Sequence, residues 1–194
     1  PDPRVFEDTH FNGDTVRRRV RELAYLNKGV KFVFTDERAR DADKRVFEYC
    51  YEGGIADFVK YLNTDKTAIT DPIVFEAMRD GLLVRVAIQY TDSYTENIYS
   101  FVNNVPTPEG GTHEIAFKTA VTKAFNDYAR RIGAIKEKEA NLSGDDFREG
   151  MTAVVYAGVK NPQFEGQMKG RLGNTEVKPV FEAVCLEKLS VYLD

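Results

Sequence analysis

The sequence predicts an α+β fold: a mostly antiparallel sheet of about four strands, covered on one face by two long helices and preceded by a helix and a hairpin. Three observations predict it. The stretches 73–79, 82–90 and 97–105 are rich in strand formers and follow one another directly, the first two joined by Asp80-Gly81, a strong tight-hairpin signal. Residues 111–133 carry Phe117, Val121, Ala124, Phe125, Tyr128 and Ile132 at helical spacing, and a second helical stretch runs from about Asn174 to the end. Between them, "MTAVVYAGV" (151–159) is apolar on both faces, as a central strand must be.

The other elements follow in order. "GDTVRRRVRELAYLNKG" (13–29) reads as a helix, with Asp14 or Thr15 as its cap, Val16, Val20, Leu23 and Ala24 as its apolar stripe, and Gly29 at its end. Arg17, Arg18, Arg19 and Arg21 cover its remaining faces, as a solvated charge run would. Val30, Phe32 and Phe34 alternate as in a strand, the polar stretch 36–44 turns the chain, and Phe47, Tyr49 and Tyr51 alternate back, so these two strands are expected to pair. "EGGIADFVKYLN" (52–63) begins a short helix after two glycines, with Ile55, Phe58, Val59 and Leu62 inward. "SGDDFREGM" is a short capped turn in which Asp145 and Asp146 stand where capping carboxylates belong.

Composition limits the function. The chain has 194 residues, 42% of them apolar, enough for a real core, and a net charge of −4, so nucleic-acid contact would need a local basic patch. Cys50 and Cys185 form no metal spacing or disulfide framework, which fits a reducing, cytoplasmic setting, and two histidines are too few for a Cys/His metal site. No apolar run is long enough to span a membrane. No dinucleotide fingerprint, phosphate loop with Lys before Ser or Thr, nucleophile elbow or zinc signature occurs. His113 has no Ser or Cys partner in sequence and reads as a structural residue at a helix start. These residues make no complete catalytic machine. The opening "PDPRVFEDTHF", without Met, reads as a piece of a longer protein.

One segment asks for more. "PQFEGQMKGRLGN" (162–174) places Gln167 and Lys169 between glycines, directly before a helix. It reads either as an ordinary surface loop or as a loop that reaches for a phosphate bound elsewhere, lysine giving a mobile charge and glutamine an amide donor.

With "RRRVRELAYLNKGVKF", "YEGGIADFVKYLN", "ENIYSFVNNVPTPEGGTHEIAFKTAVTKAFNDYAR" and "SGDDFREGMTAVV", that segment resembles, in unbroken order, the ATPase region of the B subunits of bacterial type IIA topoisomerases, those of gyrase and topoisomerase IV. The resemblance implies that residues 1–50 are the end of a GHKL-type nucleotide-binding domain. It implies that residues 51–194 are a transducer of ribosomal-protein-S5-like fold. The family's Gln-Thr-Lys loop falls on Gln167, Met168 and Lys169, with Met168 in place of the threonine. Lys169 would then be the catalytic contact to the γ-phosphate of ATP and Gln167 a second nucleotide contact. Lys118 and Lys123 would face DNA. Magnesium would be held by residues outside this chain. The full enzyme would pair with the gyrase A subunit, a second B subunit and DNA, while the fragment alone is expected to be a monomer without ATPase activity. A stand-alone S5-like nucleic-acid-binding module is the alternative from another class.

Overall fold

The computed structural model describes residues 1–39, 41 and 45–194, so the middle of the expected polar turn at 36–44 lies outside the described residues. The chain divides into two compact units, Pro1–Phe58 and Val59–Asp194.

In the first unit, α1 (Gly13–Leu26) packs beside the antiparallel hairpin of β1 (Phe32–Thr35) and β2 (Val46–Tyr49), in which Phe32 faces Tyr49 and Phe34 faces Phe47. The helix cap is Asn12, not Asp14 or Thr15: its side chain accepts from Thr15 N at 3.1 Å. The helix closes at Leu26, before Gly29 is reached. The arginine cluster is only partly a solvated face. Arg17 lies 4.6 Å from the Phe47 ring centroid, and Arg21 sits over Tyr25 and Tyr49 and donates to the Tyr51 hydroxyl at 2.9 Å. Their guanidinium groups lie over the aromatic rings and hold the helix to the hairpin. Tyr25 itself is sandwiched between Tyr51 and Phe58.

Helix α2 (Ile55–Leu62) carries the chain into the second unit. There β3 (Ile73–Arg79), β4 (Leu82–Tyr90), β5 (Asn97–Val102), β6 (Val105–Pro106) and β7 (Met151–Gly158) form one five-stranded sheet in the order β3-β4-β7-β5-β6. The Asp80-Gly81 turn has positive φ at both residues, the geometry of the tightest hairpin connection. The expectation of one strand over 97–105 is corrected. The strand stops at Val102, Asn103 and Asn104 both take positive φ, and β6 folds back so that Val102 faces Val105. Two consecutive asparagines are suited to that turn, because Asn tolerates the left-handed region better than other non-glycine residues. β7 is central as expected, antiparallel to β4 and parallel to β5.

Helix α3 (Thr112–Arg131), the short α4 (Gly144–Arg148) and α5 (Val177–Leu193) complete the unit, and α3 and α5 pack against one another over one sheet face. Phe117, Val121, Phe181, Val184 and Leu189 are fully buried there against Val84, Val86, Ile88 and Val155. Each such side chain contributes about 1.5–3 kcal/mol by leaving water. The expected stripe of α3 holds to Ala124, but Ile132 lies past the helix end and is 58% exposed; Ile135 is buried instead. Asp146 completes a capping box with Ser143 at α4.

The other sheet face carries a buried polar triad. Asn63 Nδ2 donates to Gln89 Oε1 at 3.0 Å, and Thr152 Oγ1 donates to Asn63 Oδ1 at 2.7 Å. All three residues are buried, and their mutual bonds offset the cost of placing amides on a strand face.

Candidate functional site

The segment holding Gln167 and Lys169 folds as a β-hairpin rather than an open loop. β8 (Phe164–Glu165) pairs with β9 (Arg171–Leu172), and Gly166 to Gly170 connect them. Strands of two residues are too short to show alternation, so only pairing reveals them. Gly166 and Lys169 both take positive φ, and the Lys169 amide points back to the Gly166 carbonyl at 3.4 Å. Lysine in the left-handed region is unusual and costs about 1–2 kcal/mol relative to extended backbone. The turn therefore sets the backbone at Lys169 apart from the extended strands on either side.

Gln167, Met168 and Lys169 are all exposed, Met168 at 88%. The Lys169 ammonium rests 5.9 Å from the Phe164 ring centroid and makes no ion pair with any described residue. The nearby acid, Glu165, is taken by Arg171 at 3.3 Å. The loop thus offers one cation and one amide to whatever approaches it.

The hairpin is braced on two sides. Towards α3, Leu172 N donates to Gly110 O at 3.1 Å and Glu109 N donates to Gly170 O at 2.9 Å. Gly111 passes so close to Leu172 that a Cβ there would lie 2.5 Å from its backbone nitrogen. Towards α5, Asn174 is 1% exposed and bonds the β8 side of the hairpin. Local sequence shows neither brace, since nothing in it sets Glu109 or Asn174 apart from other polar residues. The Gly-Gly pair before the long helix is the one available signal.

His113 sits in the first turn of α3, fully buried, with its ring edge-on to Phe181 and its Nε2 3.4 Å from Thr107 Oγ1. Burial without a charged partner pushes its pKa down to about 4, so it is neutral at pH 7 and serves packing, as expected. The unfolded chain takes up this proton near pH 6.5, the fold only near 4. Stability is therefore complete above pH 6.5 and falls as pH drops to 4, by about 3 kcal/mol from this residue. Chemical denaturation between pH 7 and 4.5 is expected to show that loss, and His113→Gln to flatten the slope.

The two other candidate lysines differ from each other. Lys118 is held by Glu96 at 3.0 Å and Glu114 at 3.2 Å. Glu96 also accepts from the partly buried Arg148 at 3.1 Å. Lys123 is exposed and makes no ion pair with any described residue. Both line an open cleft of about 440 Å³ with Thr122, Asn126, Asn141 and Arg148. Among the described residues no group of His, Cys, Asp and Glu could hold a metal, and no helix is long and apolar enough to cross a membrane.

An α+β build of this kind is shared with the ATPase domain of a type II topoisomerase B subunit. The 43K ATPase domain of Thermus thermophilus gyrase B, solved with an aminocoumarin, superposes with a TM-score of 0.84 at 36% identity, covering all of this chain and 51% of that one. The DNA gyrase B protein of Clostridium acetobutylicum is 50% identical over the whole chain, and the DNA topoisomerase 4 B protein of Enterococcus faecalis is 47% identical. The family model for DNA gyrase B matches residues 54–194, and the chain belongs to the DNA gyrase B family. It spans 30% of the Clostridium protein and 28% of the Enterococcus one.

Proposed function

We propose that this chain is the part of a gyrase B protein that senses the γ-phosphate of ATP and turns its presence into movement of α5. Residues 1–50 are the end of the nucleotide-binding domain and 51–194 the transducer. The carrying observation is the Lys169 ammonium: exposed, unclaimed by any described carboxylate, and presented by a hairpin whose loop and second strand are bonded to Glu109 and Gly110, just ahead of α3. A lysine so placed adds a point charge to a phosphate bound on a neighbouring domain, where charge builds up as the terminal phosphoryl group transfers. Gln167 adds an amide donor to the same group. Met168, largely in solvent, leaves both contacts free to form. Departure of the phosphate after hydrolysis removes the attraction and releases the hairpin, an order-and-release switch driven by one charge contact. In the complete enzyme, with the gyrase A subunit and a second B subunit, that movement drives DNA strand passage and negative supercoiling. The test is ATP turnover by this chain mixed with a separately made nucleotide-binding half. Activity that appears only with Lys169 present supports the reading. Activity indifferent to Lys169 refutes it.

The DNA contact is assigned chiefly to Lys123. Lys118 already has two carboxylate partners, which a phosphate would have to displace. Lys123→Gln is expected to lower the slope of log K for DNA binding against log salt by about one, the share of one phosphate contact. Lys118→Gln is expected to leave that slope in place. Equal losses from both would assign DNA contact to both.

A further inference from the structure

We infer that Asn174 is the positioning residue through which the sensor hairpin drives α5. The inference rests on the proposed sensing role of Lys169. Asn174 lies between β9 and α5 and is buried, with both ends of its amide engaged. Its Oδ1 accepts from Gln163 N at 2.6 Å. Its Nδ2 donates to Asn161 O at 3.2 Å and to Glu176 Oε1 at 2.7 Å. Asn161 and Gln163 lead into β8, whereas Asn174 and Glu176 lead into α5. One side chain therefore staples the incoming strand of the hairpin to the residues at which the helix begins.

The two braces have different work. The bonds from Gly110 and Glu109 grip β9 and the loop, and so place Lys169. The Asn174 amide grips the β8 side and leads away from the loop, towards α5. Without it the hairpin keeps its hold on α3, Gly173 N still donates to Gln163 O at 2.8 Å, and Leu172 stays in the core that also holds Val177 and Phe181, but the only polar link from the hairpin to α5 is the backbone at Gly173. Glycine is the least stiff link a chain has. A pull on Lys169 would then bend the chain at Gly173 instead of moving the helix.

Transmission and mere folding support predict different outcomes. If Asn174 only supports the fold, its loss lowers the active fraction, and ATP turnover and supercoiling fall together. If it transmits, turnover persists while work per ATP falls. Asn174→Asp keeps the acceptor for Gln163 N–H and removes both donors. Asn174→Ser introduces no charge. Both carry the same expectation, so failure of one to fold leaves the other as the test. In the full-length protein assembled with the gyrase A subunit, supercoils introduced per ATP hydrolysed are expected to fall about tenfold, within the usual range of site-to-site coupling. ATP turnover should change by no more than about twofold. Hydrogen exchange gives a second readout. A non-hydrolysable ATP analogue should slow exchange in residues 164–172 and in the first turns of α5 in the parent protein, and in residues 164–172 alone in either variant.

An unchanged supercoil-to-ATP ratio, or protection that still reaches α5, would overturn the inference. If the analogue gives no Lys169-dependent protection of 164–172 in the parent protein, the sensing role itself fails, an outcome distinct from loss of transmission alone.

Discussion

Lys169→Ala in the full-length protein is expected to lower ATP turnover by about a hundredfold or more, the cost of losing a charge aimed at a developing transition-state charge. The fold should not notice. The Lys169 side chain is exposed and rests near the Phe164 ring, an interaction worth about 0.5–1 kcal/mol at such a site. The melting temperature is therefore expected to stay within a few degrees of the parent. The comparison separates two ways of losing activity. A drop in kcat with the affinity for a non-hydrolysable analogue largely kept means that the lysine acts on the reacting state. A matched loss of affinity means that it serves binding. Unchanged turnover would remove the sensor role and leave the hairpin an ordinary surface feature.

Gly111→Ala is expected to have the largest effect on stability, about 3 kcal/mol or more. Two costs combine there. The residue has φ +141, which L side chains rarely adopt, and its Cβ would stand 2.5 Å and 2.6 Å from the nitrogen and oxygen of Leu172. Those atoms are backbone and cannot rotate away, and Leu172 is buried in the core. The hairpin must separate from the start of α3 or the helix must shift. Gly81→Ala is the control. It also has positive φ, but nothing lies within 4 Å of the added carbon, so only the conformational cost of about 1–2 kcal/mol is expected. Urea unfolding of both variants checks the contrast. Equal destabilisation would show that backbone strain alone, and not the close approach to Leu172, sets the requirement for glycine at 111.

How much of this is legible in the sequence depends on length and partner. Seven- to nine-residue strands joined by Asp-Gly announce themselves, and so does an apolar stripe over several helical turns. β3, β4, β7 and α3 are readable for that reason. β6, β8 and β9 have two residues each and no period, so they exist only because a neighbour pairs with them. Arg17 and Arg21 read as surface charge because their contacts with Phe47, Tyr25 and Tyr49 depend on how the helix meets the hairpin, which local sequence does not display. Family resemblance marks Gln167 and Lys169; it does not say what holds them. Asn174 and Glu109 are ordinary polar residues until their carbonyl and amide partners come into place around the hairpin and the start of α5.

The strand order has a consequence for how the chain reaches this state. β7 is the strand that joins the β3-β4 hairpin to the β5-β6 pair, and it comes after α3 and α4 in sequence. During synthesis the sheet must remain in two halves until residue 158 has left the ribosome. Pairings between residues so distant in sequence form slowly, because the intervening chain must first be closed into a loop. In that interval the edge of β4 that β7 will occupy is unpaired, a place where a strand of another chain can add.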